Sequence, residues 1–593
     1  MVLSLFNNLK HGNLNRSMLK QTIRNFIQKS CKKAAIKNKW SVSSIPNVLL
    51  EIPKNEQYGD YSTTIAFSIS KDIKKSPHEI AKILVKEMRK KLPKEITKIE
   101  LAKNGFINFY IHKNFIQKEL EIIYKQKTKF GISRIGKNKI IIIDYSSPNI
   151  AKPMHIGHLR STIIGETLAN LYEALGYKII RWNYLGDWGT QFGKLIAAYK
   201  LWGKKNEIEK NPIPALLSLY IKFHEQMKND PGLEKLGQEE FKKLEKGDKE
   251  NKRLWLWFKQ ESIKEFERIY KLLNIKFDIL LGESFFEKDL IPLINLLKKK
   301  NLAQKSKGAF IIPLEKYDLP PALIQKSDEA SLYLTRDLSL LKYRFKKYHP
   351  AKILYVVGNE QDMHFKQLFT LSKIIFPKEK TELVHIKFGL VLSEEKKKFS
   401  TREGEIIPLE QVINQVVEKS LEIIKEKKSQ WLLSKQKELA QTIALGALKF
   451  NDLKSFRASD IVFDWKRMLD FSGDTSVYLQ YTYARINKIL TKAKKIGKYD
   501  CKLLTHELEI SLIKKIIDFP EIIQISAARY SPNYLATYLL SLADLTNKYY
   551  ESVSVLKEKN KSRQNAQLIL LKTIANVLQK GLEILGIQVL KEI

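Results

Sequence analysis

The sequence predicts a multidomain chain of mixed class: a doubly wound parallel sheet at the centre, a small α+β unit before it and an all-α bundle after it. Three features carry that expectation. β-Branched runs at residues 140–143 and 353–357 each lead into a loop and then a stretch of helical periodicity, as two strand–helix crossovers of a parallel sheet would. From residue 435 onward the apolar positions recur almost wholly at helical spacing. A chain of 593 residues also exceeds what one core supports, so about three or four domains are expected.

In chain order, residues 1–118 read as the α+β unit, with helices at 19–33 and 77–91 and strands at 48–52 and Ile107–Ile111. Pro77 suits a first helical turn. Tyr58, Tyr61 and Phe109 are aromatics at spacings that more often fill a core. A lysine-rich connector, 112–139, leads into the central unit, 119–434. Its first strand meets a loop broken by Ser146, Ser147 and Pro148, and His155-Ile156-Gly157-His158 then opens a helix. Residues 201–274 carry helical periodicity interrupted by a charged stretch and read as an insertion between the two halves of the sheet. The second half follows: strand 353–357 ending at Gly358, helix 359–376 with His364 one turn in, and strand 384–392. Residues 435–593 form the helical unit.

A helix N-terminus offers free backbone N–H groups and the positive end of a dipole, and Gly157 lets a ligand approach the backbone, so the 155–158 word suits an anion. The imidazoles of His155 and His158 would donate hydrogen bonds to charge growing on a phosphate under attack by a carboxylate. Taken alone, a His-x-x-His pair is equally a metal half-site or two surface residues. In a doubly wound sheet the ligand lies where the strand order reverses, which brings Gly358 near both histidines.

Composition narrows the partners. Lys plus Arg outnumber Asp plus Glu by 104 to 64, a formal charge of +40. Such a field suits a polyanion such as RNA, although a bias toward Lys, Ile and Asn supplies part of the excess. Cys31 and Cys501 are far apart and outside any Cys-x-x-Cys pair, so no zinc site is expected and the thiols read as reduced. No run of eighteen apolar residues occurs, so a cytoplasmic protein without membrane contact is expected.

The surrounding words SSPNIAKPMHIGHLRST and NYLGDWGTQFGK resemble the nucleotide-binding region of class I aminoacyl-tRNA synthetases, and of the arginyl-tRNA synthetase family in particular. The resemblance runs over nearly the whole chain. It implies a Rossmann-type catalytic domain binding ATP with Mg²⁺ through His155, Gly157, His158, Gly358, His364 and Lys398. NEQYGDYSTTIAF and KNGFINFYI resemble that family's N-terminal domain, which contacts the tRNA elbow. KFSTR, within 394–404, resembles the KMSKS signature, with Phe399, Thr401 and Arg402 as departures. Lys398 and Arg402 would neutralise the departing pyrophosphate, with Lys152 supplying charge from the other side.

Selecting a guanidinium against lysine requires carboxylates set for forked hydrogen bonding and a flat wall. By resemblance, Glu283 and Asp337 pair with the arginine side chain and Tyr333 packs on it; Tyr333 and Asp337 are four apart and share a face if helical. Asn149, Gln361 and Asp144 would hold the α-amino and carboxylate ends. Residues 435–593 resemble the anticodon-binding domain, with Tyr481, Tyr483, Arg485 and Asn547 as candidate tRNA contacts. The resemblance thus implies a monomeric ligase for L-arginine, ATP and tRNA(Arg). Two rivals remain at this point. A small-molecule nucleotidylyltransferase shares an HxGH word but needs no helical C-terminal domain, and a catalytically silent RNA-binding paralogue would not keep His155, Gly157 and His158.

Overall fold

The computed structural model describes residues 18–40, 45–46, 48–53, 55–326, 333–392 and 407–592. Thirteen strands lie among them, and the central sheet has five, all parallel. Four consecutive isoleucines make β4, Ile140–Asp144, the middle strand. The others are β5, Lys178–Leu185; β6, Ile279–Gly282; β10, Lys352–Gly358; and β11, Glu382–Phe388. Their spatial order is β11-β10-β4-β5-β6. The chain winds outward one way through β5 and β6, then returns to the other side of β4 for β10 and β11, so the order reverses between β4 and β10.

Alternation along β4 feeds two cores. Ile141 and Ile143 face a large core shared with the N-terminal unit and the C-terminal helices, whereas Ile142 faces a second core with β10 and the helix Tyr333–Tyr348. The helix Ile156–Ala174 packs closely on the first face. A Cβ on its Gly165 would lie 2.3 Å from the Tyr145 ring, so only glycine permits that approach.

The N-terminal unit is a three-stranded antiparallel sheet, β1-β3-β2, of Tyr61–Thr63, Ile107–Ile111 and Ile96–Leu101. Helices Met18–Lys37, Ile65–Ile73 and Pro77–Met88 cover it. Tyr61 and Phe109 are fully buried in its core, and Tyr58 is exposed. The expected strand at 48–52 reduces to one bridge, Glu51 with Ser62. The connector 112–139 is not a linker but contains the helix Lys113–Gln126, which buries Ile116, Leu120 and Ile123 on one face. At the start of Pro77–Met88, Ser76 and Glu79 cap each other's backbone N–H groups. Ser76→Ala should weaken that terminus by about 1 kcal/mol, read as roughly five-fold faster amide exchange over its first turn.

Five helices, Thr190–Trp202 through Lys249–Leu272, form the insertion after β5. A small antiparallel sheet, β7-β8-β9 (Gln304–Ser306, Ala309–Ile312, Ala322–Gln325), follows β6 and was not expected. The strand expected at 384–392 divides: β11 ends at Phe388, and β12, Val391–Leu392, pairs instead with β13, Ile461–Val462. The C-terminal helices docking on this unit include Leu433–Leu453, Ser476–Ala493, Asn533–Ser552 and Lys561–Ile584. The N-terminal unit reaches them directly. Lys20 pairs with Asp518 and Glu521, Arg24 bonds Glu521 at 2.7 Å, and Lys514 meets Asp60. Among the described residues no helix is long and apolar enough to cross a membrane.

Candidate active site

The carboxyl ends of β4 and β10 open into a cavity of about 500 Å³ at the switch point. Nine residues anticipated from the sequence line it: Asp144, His155, Gly157, His158, Tyr333, Asp337, Gly358, Gln361 and His364.

One side is the start of the helix Ile156–Ala174. His155 caps it with its own ring, Nδ1 accepting the Gly157 N–H at 3.1 Å, and His158 Nδ1 accepts the His155 N–H at 3.1 Å. The two rings lie 3.9 Å apart. Because both Nδ1 atoms accept, each neutral imidazole carries its proton on Nε2. Burial, and then the neighbouring imidazole, lower the His158 pKa to about 3, so the ring stays uncharged. A Cβ on Gly157 would come within 2.9 Å of the His155 ring, so the cradle depends on that glycine.

The loop before this helix is held in an unusual backbone path. Ser146, Ser147 and Ala151 all have positive φ, at 73°, 47° and 62°. Side chains from elsewhere offset that strain. The Ser146 N–H donates to Ser161 Oγ, the Ser147 N–H to Asn183 Oδ1, and the Ala151 N–H to Ser262 Oγ. Ser262 and Tyr270, which bonds Ser146 Oγ at 2.8 Å, both lie on the insertion helix Lys249–Leu272. Arg160 anchors the histidine helix on Asp452 at 3.0 Å and on the carbonyls of Leu390, Arg457 and Ser459.

The other side is built on the helix Tyr333–Tyr348, whose first turn sets Tyr333 and Asp337 on one face. His364 Nε2 lies 2.6 Å from Asp337 Oδ2, so His364 sits with this group rather than with the paired histidines. The Tyr333 and His364 rings meet edge to face at 5.4 Å. Tyr333 is half exposed as a residue, yet desolvation of its hydroxyl, and then the charges of Asp337 and Glu283, push the phenol up. Glu283, at the end of β6, is buried but outside the cavity lining. Burial drives its carboxyl up to about 8; Asp337, Asp187 and Glu287 add to the rise and Arg336 opposes it.

Other anticipated residues have different surroundings. Asp144 lines the cavity, yet its Oδ2 accepts from the fully buried Arg344 at 2.5 Å, and that guanidinium lies 4.4 Å from the Trp182 ring. Asn149 is exposed beside Gly186. The Lys152 ammonium lies 4.8 Å over the Tyr220 ring of the insertion, outside the cavity lining. Lys398 and Arg402 lie outside the described residues, although Val391 and Pro408, on either side of that segment, border the cavity and pair with His155 respectively. In the C-terminal unit Tyr483 and Asn547 are buried, Asn547 Nδ2 bonding Thr482 Oγ1 at 2.9 Å. Arg485, by contrast, stacks over exposed Tyr550 at 3.9 Å, with Tyr481 beyond. Sequence reasoning missed Arg344, which no word marks, and the cavity walls Tyr184 and Tyr355. It also passed over Asp187, although the GDWG word contains it.

Comparison with known proteins gives this geometry a family. The profile of tRNA synthetases class I (R), catalytic domain, matches residues 119–465. That of the arginyl tRNA synthetase N terminal domain matches 18–111, and that of the DALR anticodon binding domain matches 479–593. An arginine–tRNA ligase of Clostridium botulinum is 40% identical over 546 residues, covering 92% of this chain and 96% of the relative. One of Streptococcus uberis is 42% identical over 542 residues, covering 91% and 95%. The solved arginyl-tRNA synthetase of Plasmodium falciparum superposes with a TM-score of 0.81 at 26% identity, over 98% of this chain and 99% of that one. The Thermus thermophilus arginyl-tRNA synthetase shares the fold, with a TM-score of 0.79 at 22% identity over 96% and 100%. The chain therefore belongs to the arginine–tRNA ligases, class I aminoacyl-tRNA synthetases that use ATP to charge tRNA(Arg) with arginine for translation.

Proposed function

We propose that the cavity at the switch point is divided between the two small substrates. ATP lies over His155, Gly157, His158 and Gly358, and the arginine side chain lies among Tyr333, Asp337 and Glu283, with Gln361 at its α-amino end. The observation carrying this division is that the paired imidazoles and the tyrosine–carboxylate group line one cavity as two separate clusters, each held by its own hydrogen bonds. A carboxylate oxygen of arginine attacks the α-phosphorus, forming the mixed anhydride as the bond to pyrophosphate breaks. The Nε2–H groups of His155 and His158 stabilise the charge on the α-phosphate; no side chain acts as nucleophile. Magnesium enters on the triphosphate as part of the substrate. Lys398 and Arg402 draw the pyrophosphate away, and a ribose hydroxyl of the 3′-terminal adenosine of tRNA(Arg) then attacks the arginyl carbonyl, forming the ester as the bond to AMP breaks and AMP leaves. Lys152 is left out of the chemical step because its ammonium rests on Tyr220.

Arginine-dependent charging of tRNA, with pyrophosphate release followed with and without tRNA, tests the scheme. Pyrophosphate release independent of arginine would sink it. Two expectations follow from charge. Glu283 must be ionised to meet a guanidinium, so protonation below its pKa of about 8 opposes binding. Accordingly kcat/KM for arginine should rise up to about ten-fold per unit between pH 6.5 and 8 and then level, and Glu283→Gln should flatten that limb. Binding of tRNA should weaken steeply with salt, with a log–log slope of several units, because Lys and Arg contacts to phosphate release counterions. A flat dependence would mean that the +40 charge is composition bias rather than a binding surface.

A further inference from the structure

We infer that Asp187 is a positioning residue for arginine, acting through Ser284 on Glu283, and that Lys259 of the insertion holds Asp187 in place; the inference rests on the reading of Glu283 given above. Asp187 follows the carboxyl end of β5 and is fully buried. Its Oδ1 accepts the Ser284 N–H at 2.9 Å and its Oδ2 accepts the Ser284 hydroxyl at 2.8 Å. Ser284 is the residue next to Glu283, so these two bonds set the turn on which Glu283 stands. A Cβ on Gly282, on the other side of Glu283, would lie 2.2 Å from the Asp187 carboxylate, so the whole Gly-Glu-Ser turn is seated on this one group.

The insertion completes the arrangement. Lys259 Nζ lies 2.5 Å from Asp187 Oδ2, and Trp255 Nε1 donates to the Asp187 carbonyl at 2.8 Å. The Lys259 ammonium also lies 5.1 Å over the Trp255 ring. Both residues are on Lys249–Leu272, the helix that supports the Ser146 loop through Ser262 and Tyr270. One helix thus supports the ATP side at one end and the guanidinium side near its middle. A buried carboxylate with three such partners loses its orientation when one is removed.

Steady-state charging with Asp187→Asn, Lys259→Met, Ser284→Ala and Glu283→Gln tests this. Asp187→Asn and Lys259→Met should raise KM for arginine about ten-fold or more, as a small misplacement of a binding group would. KM for ATP, KM for tRNA and kcat should stay within about three-fold. Lys259→Arg, which restores a donor to Asp187, should recover most of the loss. In Asp187→Asn the midpoint of the arginine pH profile should also fall, because a charge that raises the Glu283 pKa is gone. If Glu283→Gln raises KM for arginine while Asp187→Asn and Lys259→Met do not, the inference fails and the reading of Glu283 stands. If Glu283→Gln leaves KM for arginine unchanged, both fail. A parallel rise in all three KM values would mean a merely structural role and overturn the inference. Should Asp187→Asn not fold, the half-buried Lys259 and Ser284 decide by the same criteria.

Discussion

Asp337→Asn should cost arginine about 2 to 5 kcal/mol of transition-state stabilisation, some 30- to 5,000-fold in kcat/KM. The shape is unchanged, but the charge opposite the bound cation is lost and an NH₂ meets the guanidinium donors head-on. The structure sharpens the expectation. One Asp337 oxygen already accepts from His364 at 2.6 Å, so its second oxygen and remaining lone pairs are what a guanidinium would use. The amide, whichever way it turns, presents NH₂ either to His364 or to the substrate. Discrimination should narrow with activity. Lysine and citrulline already leave the pocket's polar groups unpaired, so arginine's kcat/KM should fall toward theirs. ATP and tRNA should bind as before, because Asp337 stands on the arginine wall. If kcat/KM for arginine stayed within about three-fold, the guanidinium would have to bind elsewhere.

What the sequence made legible depended on how locally each feature is encoded. β4 and the histidine word are legible because strand, turn and helix N-terminus follow one another within about twenty residues with unmixed periodicity. The helix Lys113–Gln126 was hidden by lysines, although Ile116, Leu120 and Ile123 recur at helical spacing and are buried. At 48–52 an apolar run suggested a strand, but only Glu51 finds a partner. The strands β7 to β9, at three or four residues each, fall below any useful window for periodicity. Long-range partnerships left no local trace at all. Arg344 reaches Asp144 across 200 residues and Lys259 reaches Asp187 across 72. Each holds a carboxylate that the local words present as an isolated acid. The site's residue types were therefore readable while its supports were not, because hydrogen-bond partners are chosen by topology rather than by neighbours in sequence.

His158→Ala tests the other wall. Its imidazole is fixed by the His155 N–H at Nδ1 and is uncharged, since burial and the adjoining ring bring its pKa to about 3. What it offers is a neutral Nε2–H at the helix start, where the His155 and Gly157 N–H groups are already taken up by the two ring Nδ1 atoms. Donors of this kind contribute most when charge has built up on the phosphate, so kcat for arginine activation should fall roughly ten- to a thousand-fold while KM for ATP changes only a few-fold. The sign of the pH effect follows from the depressed pKa. His158 takes up a proton only on approaching pH 3, so the wild-type kcat profile should show no imidazole limb near pH 6.5 from this residue. His158→Asn keeps an N–H donor on a shorter arm and should recover part of the rate. The same fall in a variant that also lost ATP binding would point to a collapsed helix cap. Equal rates for His158→Ala and the wild type would leave His155 and the helix terminus to carry the stabilisation without His158.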